Sequence, residues 1–332
     1  MSLLSALPMI LRTLSLFVLL VALAGSAIAD DFISDVPLGL DWVRVPDDNP
    51  QSPAKIALGR RLFFDSQLSR DKSISCASCH DPKHGWSLAT PLAKGVDGRV
   101  GERNPPSIIN TGLQHSLFWD GRARTLEEQA LEPIQNRVEM DMELGELEKR
   151  LTADRTYVLQ FRQAFGGEVT AARIAQAIAA FERTLLAAET PYDLFRNGRA
   201  TAMDDQMSRG SSVFFSRANC GDCHIAKVLT DHQLHDTGVG ASPKLIRTPM
   251  LRDLERTAPY MHDGSFATLR DVVEYYDRGG NQRAGLDPRM RPLNLTRQEK
   301  EDLLYFLTAG LRSRAYPGVE ISAGIELPTN SP

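Results

Sequence analysis

Two five-residue stretches hold all four cysteines of the chain: CASCH, from Cys76 and Cys79 to His80, and CGDCH, from Cys220 and Cys223 to His224. Two thiols three positions apart, followed at once by histidine, have the spacing of c-type haem attachment. The thiols add to the two vinyl groups, and the histidine lies under the iron as proximal ligand. A CxxC pair also serves in zinc sites and redox dithiols, and an exported chain can pair its cysteines as disulfides. Two copies, each ending in His and with no cysteine left over, favour two covalently bound haem c groups ligated by His80 and His224.

The surroundings of the two motifs repeat as well. LGRRLFF, Leu58 to Phe64, precedes the first, and RGSSVFF, Arg209 to Phe215, precedes the second. Each reads as a helix able to pack on a haem face. RNPPSIIN from Arg103 follows the first and RTPMLRD from Arg247 the second. Then come WDGRARTL from Trp119 and HDGSFATL from His262, 39 residues after His80 and 38 after His224. Four elements in one order at similar spacing predict two homologous haem modules in tandem. The expected bounds are an export signal over 1–29, a first module over 30–196 and a second over 197–332. The C-terminal tail is a candidate to pack back on the first module.

The elements that must position these motifs read as helices. TLEEQALEPI, Val169 to Glu189 and Thr296 to Leu311 all place apolar residues at three- and four-residue steps. Thr296 with Glu299 makes a capping box, and Gly310 falls near a helix end. The predicted fold class is mainly α, two small cytochrome c-like modules arising from an internal duplication. With 332 residues, 42% hydrophobic, the chain can build two cores. A net charge of -4 leaves no basic footprint for nucleic acid. At the N-terminus, Arg12 precedes LSLFVLLVALAG, and Ala27 to Ala29 has the small-x-small form of a cleavage site. This predicts export to the periplasm and no membrane span after signal removal; an uncleaved N-terminal anchor is the other reading.

The copies differ where a sixth iron ligand would stand. A strong ligand there favours electron transfer, and an empty position allows chemistry. After HDGSFATL, Leu269, Val272, Val273 and Tyr276 share one helical face, while Tyr275 falls on a more polar stripe. Tyr276 is expected to point inward, either as an iron ligand or as a core tyrosine, which periodicity alone favours. It lies 14 residues after His262; 14 residues after Trp119 stands Pro133, which has no ligand atom. His84 is a poor substitute, since four extended residues span at most about 14 Å; His115 is a stronger rival. Gln129 and Glu139, with counterparts Val272 and Gln282, could serve an open site. A carboxylate there can act as base and then acid on peroxide, and an amide can orient bound oxygen. Each could equally be an exposed helix residue, and a plain electron-transfer di-haem cytochrome stays open as an alternative.

LFWDGRARTLEEQALEPIQNRVEM, Leu117 to Met140, together with PYMHDGSFATL, resembles the bacterial di-haem cytochrome c peroxidases and the related MauG-type enzymes. The resemblance covers nearly the whole mature chain. It implies a peroxidatic first haem that reduces hydrogen peroxide and a second haem that relays electrons. It also implies Trp119 between the haems, Gln129 and Glu139 in the distal pocket with Pro133, and a calcium site from Asn104 with the carbonyls of Thr257 and Pro259. Its partners would be a small redox protein, a cytochrome c or a cupredoxin, or an oxidisable protein substrate. Two positions depart from the ordinary peroxidases. Tyr276 stands where they have Met and is similar to MauG, which oxidises tryptophans of a partner protein. Val96 stands where they carry a switchable distal His. The implied enzyme is ready without prior reduction.

Overall fold

The computed structural model describes residues 32–318 apart from 34, 226, 242 and 243, so the expected 1–29 export signal lies outside the described residues. In chain order the helices are α1 (Pro53–Phe64), α2 (Leu126–Gln135), α3 (Leu144–Thr152), α4 (Arg155–Phe165), α5 (Ala171–Glu182), α6 (Pro191–Arg196), α7 (Asp205–Phe215), α8 (Leu269–Asp277) and α9 (Arg297–Tyr305). Two short antiparallel ribbons accompany them, β1 (Phe32–Ile33) with β2 (Val43–Arg44) and β3 (Leu234–His235) with β4 (Ile246–Arg247). The chain is mainly α. Among the described residues no helix is long and apolar enough to cross a membrane.

Side chains that accept from otherwise unpaired amides set the helix starts. Thr125 caps α2 by accepting from Glu128 N, and Thr170 caps α5 by accepting from Arg173 N. Thr268 with Asp271 and Thr296 with Glu299 form capping boxes at α8 and α9. The ends depart from the periodic pattern. α5 stops at Glu182 rather than Glu189, because the following backbone bonds elsewhere: Leu185 O accepts from Asn110 N at 2.8 Å, and Ala188 N donates to Ala315 O at 2.9 Å. Past α9, Phe306–Gly310 winds one wider π turn.

Two helix crossings organise the packing. α1 crosses α5 at Gly59, where a Cβ would lie 1.8 Å from Ala177 O and 3.0 Å from Phe181 Cβ. α7 crosses α9 at Gly210, where a Cβ would lie 2.0 Å from Asp302 O and 2.7 Å from Phe306 Cβ. Only hydrogen fits at either point. One core gathers Phe63, Trp86, Phe161 and Phe181; the other gathers Tyr192, Phe214 and Phe306. Tyr192 of α6 packs in the second of these cores. The tail crosses back: Tyr316 packs on the first core, and Trp86 Nε1 donates to Pro317 O at 3.0 Å.

Candidate functional site

Each CxxCH stretch winds one tight turn in which the histidine amide donates to the first cysteine carbonyl, at 2.9 Å in both copies. His80 Nδ1 faces Trp86 O at 3.3 Å, and His224 Nδ1 faces Leu229 O at 2.9 Å. A proton held on Nδ1 by a carbonyl leaves Nε2 free to bind iron. Burial pushes His80 down to about 4 and lowers His224 as well, so both rings stay neutral and able to ligate. The cysteines are unpaired. Burial pushes Cys79 and Cys220 up to about 12 and Cys223 to about 11, and it raises Cys76 too. A redox dithiol needs a lowered thiol pKa. Cys76 packs on one core and Cys220 on the other, so the four thiols do not converge on one zinc ion.

Beside the second motif lies a cavity bordered by Cys220, Cys223, His224, Val273 and Tyr276, and it reaches Trp119 at the first module. Tyr276 thus faces the pocket. Burial raises its phenol pKa, with the nearby Cys220, Tyr275 and Cys223 adding to the rise. Tyr275 departs from the expected polar stripe. It is 1% exposed, and its hydroxyl donates to Thr237 O and accepts from Asn281 N at 3.0 and 3.2 Å. The loops carrying Thr237 and Asn281 cover that side of α8.

Two arginines that the sequence reading left without a role fit a haem. Arg247 is 4% exposed and borders the cavity, and among the described residues no carboxylate pairs with it. Its Nε donates to Phe118 O at 3.1 Å and its Nη1 to Gln114 Oε1 and Thr248 O. Burial pushes it down to about 10. Arg103, at the matching position of the first module, buries an Nη1 with no partner. Buried guanidinium groups without counter-charge are costly, and haem propionates would supply that charge. The signal was present in the sequence, since both arginines open an R-x-P echo.

Gln129 and Pro133 lie on α2, and Pro133 has no N–H to return to the Gln129 carbonyl. Glu139 follows the helix in a turn fixed at both ends of the residue. Val96 N donates to Glu139 O at 2.8 Å, and Asn136 Nδ2 donates to Glu139 Oε1 at 2.6 Å. Burial raises the Glu139 pKa, and the Asn136 bond and Arg122 hold it down in part. Glu139 also raises the Cys79 thiol, which places the carboxyl near the first motif. Val96 is fully buried. His84 turns to Asp81 at 3.0 Å, and His115 stacks on His232 with ring centroids 3.9 Å apart.

Asn104 joins the two echoing phrases. Its amide donates to His262 O at 2.9 Å, and its carbonyl accepts from Trp119 Nε1 at 2.8 Å. Phe118 and Met261 take left-handed φ of 63° and 72°, and Leu117 pairs with Ala123 as Tyr260 pairs with Phe266. The phrases are therefore the same turn, each leading to a threonine-capped helix. Asn104, Trp119, Thr257, Pro259 and His262 border the same cavity.

The sequence model of the family described as di-haem cytochrome c peroxidase matches residues 53–201. The chain is 38% identical over 280 residues to methylamine utilization protein MauG of Methylorubrum extorquens, covering 79% of each. It is 34% identical over 345 residues to cytochrome-c peroxidase IdrP1 of Pseudomonas sp. (strain SCT), covering 89% of this chain and 91% of that one. A solved MauG-like protein associated with microbial copper homeostasis superposes with a TM-score of 0.79 at 32% identity, covering 85% of this chain and 96% of the other. Paired haem-binding motifs, neutral histidines and a buried Arg247 that no carboxylate meets among the described residues agree with these matches, and the chain belongs to the di-haem cytochrome c peroxidase and MauG family.

Proposed function

We propose that the chain reduces hydrogen peroxide at a haem held by Cys76, Cys79 and His80, with electrons relayed by a haem held by Cys220, Cys223 and His224. The enzyme class, a peroxidase-type oxidoreductase, is that of its family. One observation carries the division of labour. α2 and α8 start from equivalent threonine caps, and the eighth residue after the cap is Pro133 in one and Tyr276 in the other. Tyr276 borders its cavity and offers a phenolate oxygen; proline offers nothing. A haem at the first site would therefore find no ligand from this position, and one at the second could take the Tyr276 oxygen.

The haems supply the redox chemistry of O–O cleavage, and the chain supplies access and protons. Glu139 would take a proton from one peroxide oxygen and return it to the other as the O–O bond parts, its pKa raised by burial. Gln129 orients the peroxide, buried Val96 adds no ligand, and Trp119 carries charge between modules. Asn104 spends Nδ2 on the Thr90 and Pro91 carbonyls, at 3.2 and 3.0 Å. Its amide oxygen, with the Thr257 and Pro259 carbonyls and waters, suits a hard cation such as calcium. The matched glycine crossings and turns support two modules derived by duplication, a first over 30–196 and a second over 197–332. Residues 1–29 would direct export to the periplasm, where a small redox protein donates electrons.

A second reading, MauG-like oxidation of tryptophans in a partner protein, is favoured by Tyr276, since an anionic ligand stabilises high oxidation states. EPR of the ferric holoprotein, followed by peroxide, tests the main reading. One high-spin and one low-spin haem, the former consumed by peroxide, is the expected result. Two low-spin haems inert to peroxide would leave an electron-transfer cytochrome. Turnover with a reduced cytochrome c or cupredoxin as donor then separates peroxidase from protein oxidase.

A further inference from the structure

The two helix crossings align the modules residue by residue. Gly59 meets Ala177 O and Phe181 Cβ, and Gly210 meets Asp302 O and Phe306 Cβ. Ala177 thus matches Asp302, Phe181 matches Phe306, and the next residue pair is Glu182 with Leu307. Leu307 borders the cavity at the second motif. Glu182 therefore takes the place of a cavity-lining leucine in the first module. It is 5% exposed, and among the described residues no hydrogen bond or ion pair reaches its carboxyl. Its charge is a leading influence on the Cys76 thiol, after burial, so it lies at the edge where the first haem would be attached.

A carboxyl so largely removed from water, with no hydrogen bond to it among the described residues, is costly if it serves only structure. The available cation does not pair with it: Arg183, next along α5, turns instead to Glu127 of α2 at 2.8 Å. The charged groups around it are Arg183 on its own helix, Glu127 on α2, Lys55 on α1 near that pair, and the Cys76 thiol of the haem turn. We propose that Glu182 is a redox-linked proton carrier of the first haem, giving up its carboxyl proton when that haem loses an electron and regaining it on reduction. One electron and one proton leave together, the proton going to water, so the net charge of the buried site does not change. This assignment rests on the first module holding a haem. The second module, with Leu307 at the matched position, has no such group.

Burial pushes Glu182 up to about 8, so the protonated form is available at neutral pH in the state without the added positive charge of oxidised iron. Spectroelectrochemical titration of the holoprotein at a series of pH values is the test, with haem content measured first. One haem per chain in place of two would refute the functional reading rather than this one. With both haems present, the first-haem potential should fall with rising pH, approaching about 59 mV per tenfold change in proton concentration, and the Glu182 variants should leave the pH dependence of the second unchanged. Glu182→Gln and Glu182→Leu should each lower the slope of the first by the same amount, and Leu307→Glu should steepen that of the second. Glu139→Gln should leave the Glu182 contribution in place. A pH-independent first haem in the wild-type protein, or a slope that neither Glu182 variant reduces, overturns the proposal.

Discussion

Replacing Asn136 by alanine should move the acid limb of the peroxide reaction to higher pH. Asn136 Nδ2 donates 2.6 Å to Glu139 Oε1, a bond that favours the carboxylate, while burial favours the acid and prevails. A hydrogen bond to a charged group is worth about 1.5–3 kcal/mol, and one pKa unit is about 1.36 kcal/mol. Its loss should therefore raise the Glu139 pKa and, by that energy, cut the ionised fraction on the limb about 10–100-fold. Glu139 must be ionised to take the first proton, so the rate rises with pH through this pKa. On the limb, the variant should react about 10–100-fold more slowly at equal pH, and at high pH the two rates should converge. Stopped-flow rate constants across pH are the assay. The substitution also removes the 3.1 Å bond from Val138 N to Asn136 Oδ1, so haem content and helicity are compared alongside. Glu139→Gln should abolish the limb and slow the reaction roughly 10²–10⁴-fold, with the Val96 to Glu139 backbone bond still holding the residue in place. A limb that stays put or moves to lower pH in Asn136→Ala would refute this account of the carboxyl.

Tyr276→Phe should keep both haems attached yet convert the low-spin EPR signal to high-spin; an unchanged spectrum would make the tyrosine a wall of the cavity and nothing more. Trp119→Phe removes the N–H bonded to Asn104 O and leaves a ring harder to oxidise. It should slow oxidation of the second haem after peroxide without slowing the reaction at the first, and wild-type transfer rates would move the relay elsewhere. Gly210→Ala would set a methyl 2.0 Å from Asp302 O. Overpacking of that kind costs about 3 kcal/mol or more, against about 1 kcal/mol gained in helix propensity, so thermal unfolding should occur at a visibly lower temperature.

What could be read from the chain, and what could not, follows from the range of the forces involved. The haem turns were legible because their chemistry is local: two thiols and a histidine act within five residues. The Thr296–Glu299 capping box was legible for the same reason, and the echoing phrases set Pro133 and Tyr276 at matched positions, which the Thr125 and Thr268 caps repeat in the structure. The helical period correctly turned Tyr276 toward the cavity but left Tyr275 exposed, because periodicity sees one helix and not the loops at Thr237 and Asn281 that cover it. The end of α5 was missed because its cause lies far off in sequence, at Asn110 and Ala315. Arg103 and Arg247 passed as part of an echo because a cation looks like surface until burial shows that no carboxylate meets it. Glu182 is the extreme case. In sequence it is one charge in an amphipathic helix, and only the glycine crossing, which sets Leu307 at the same place in the other module, shows that the charge faces inward. Under the proposed duplication each half is a control for the other: where both keep a residue the reason is architectural, and where a buried pair differs in charge the difference points to chemistry that one half performs alone.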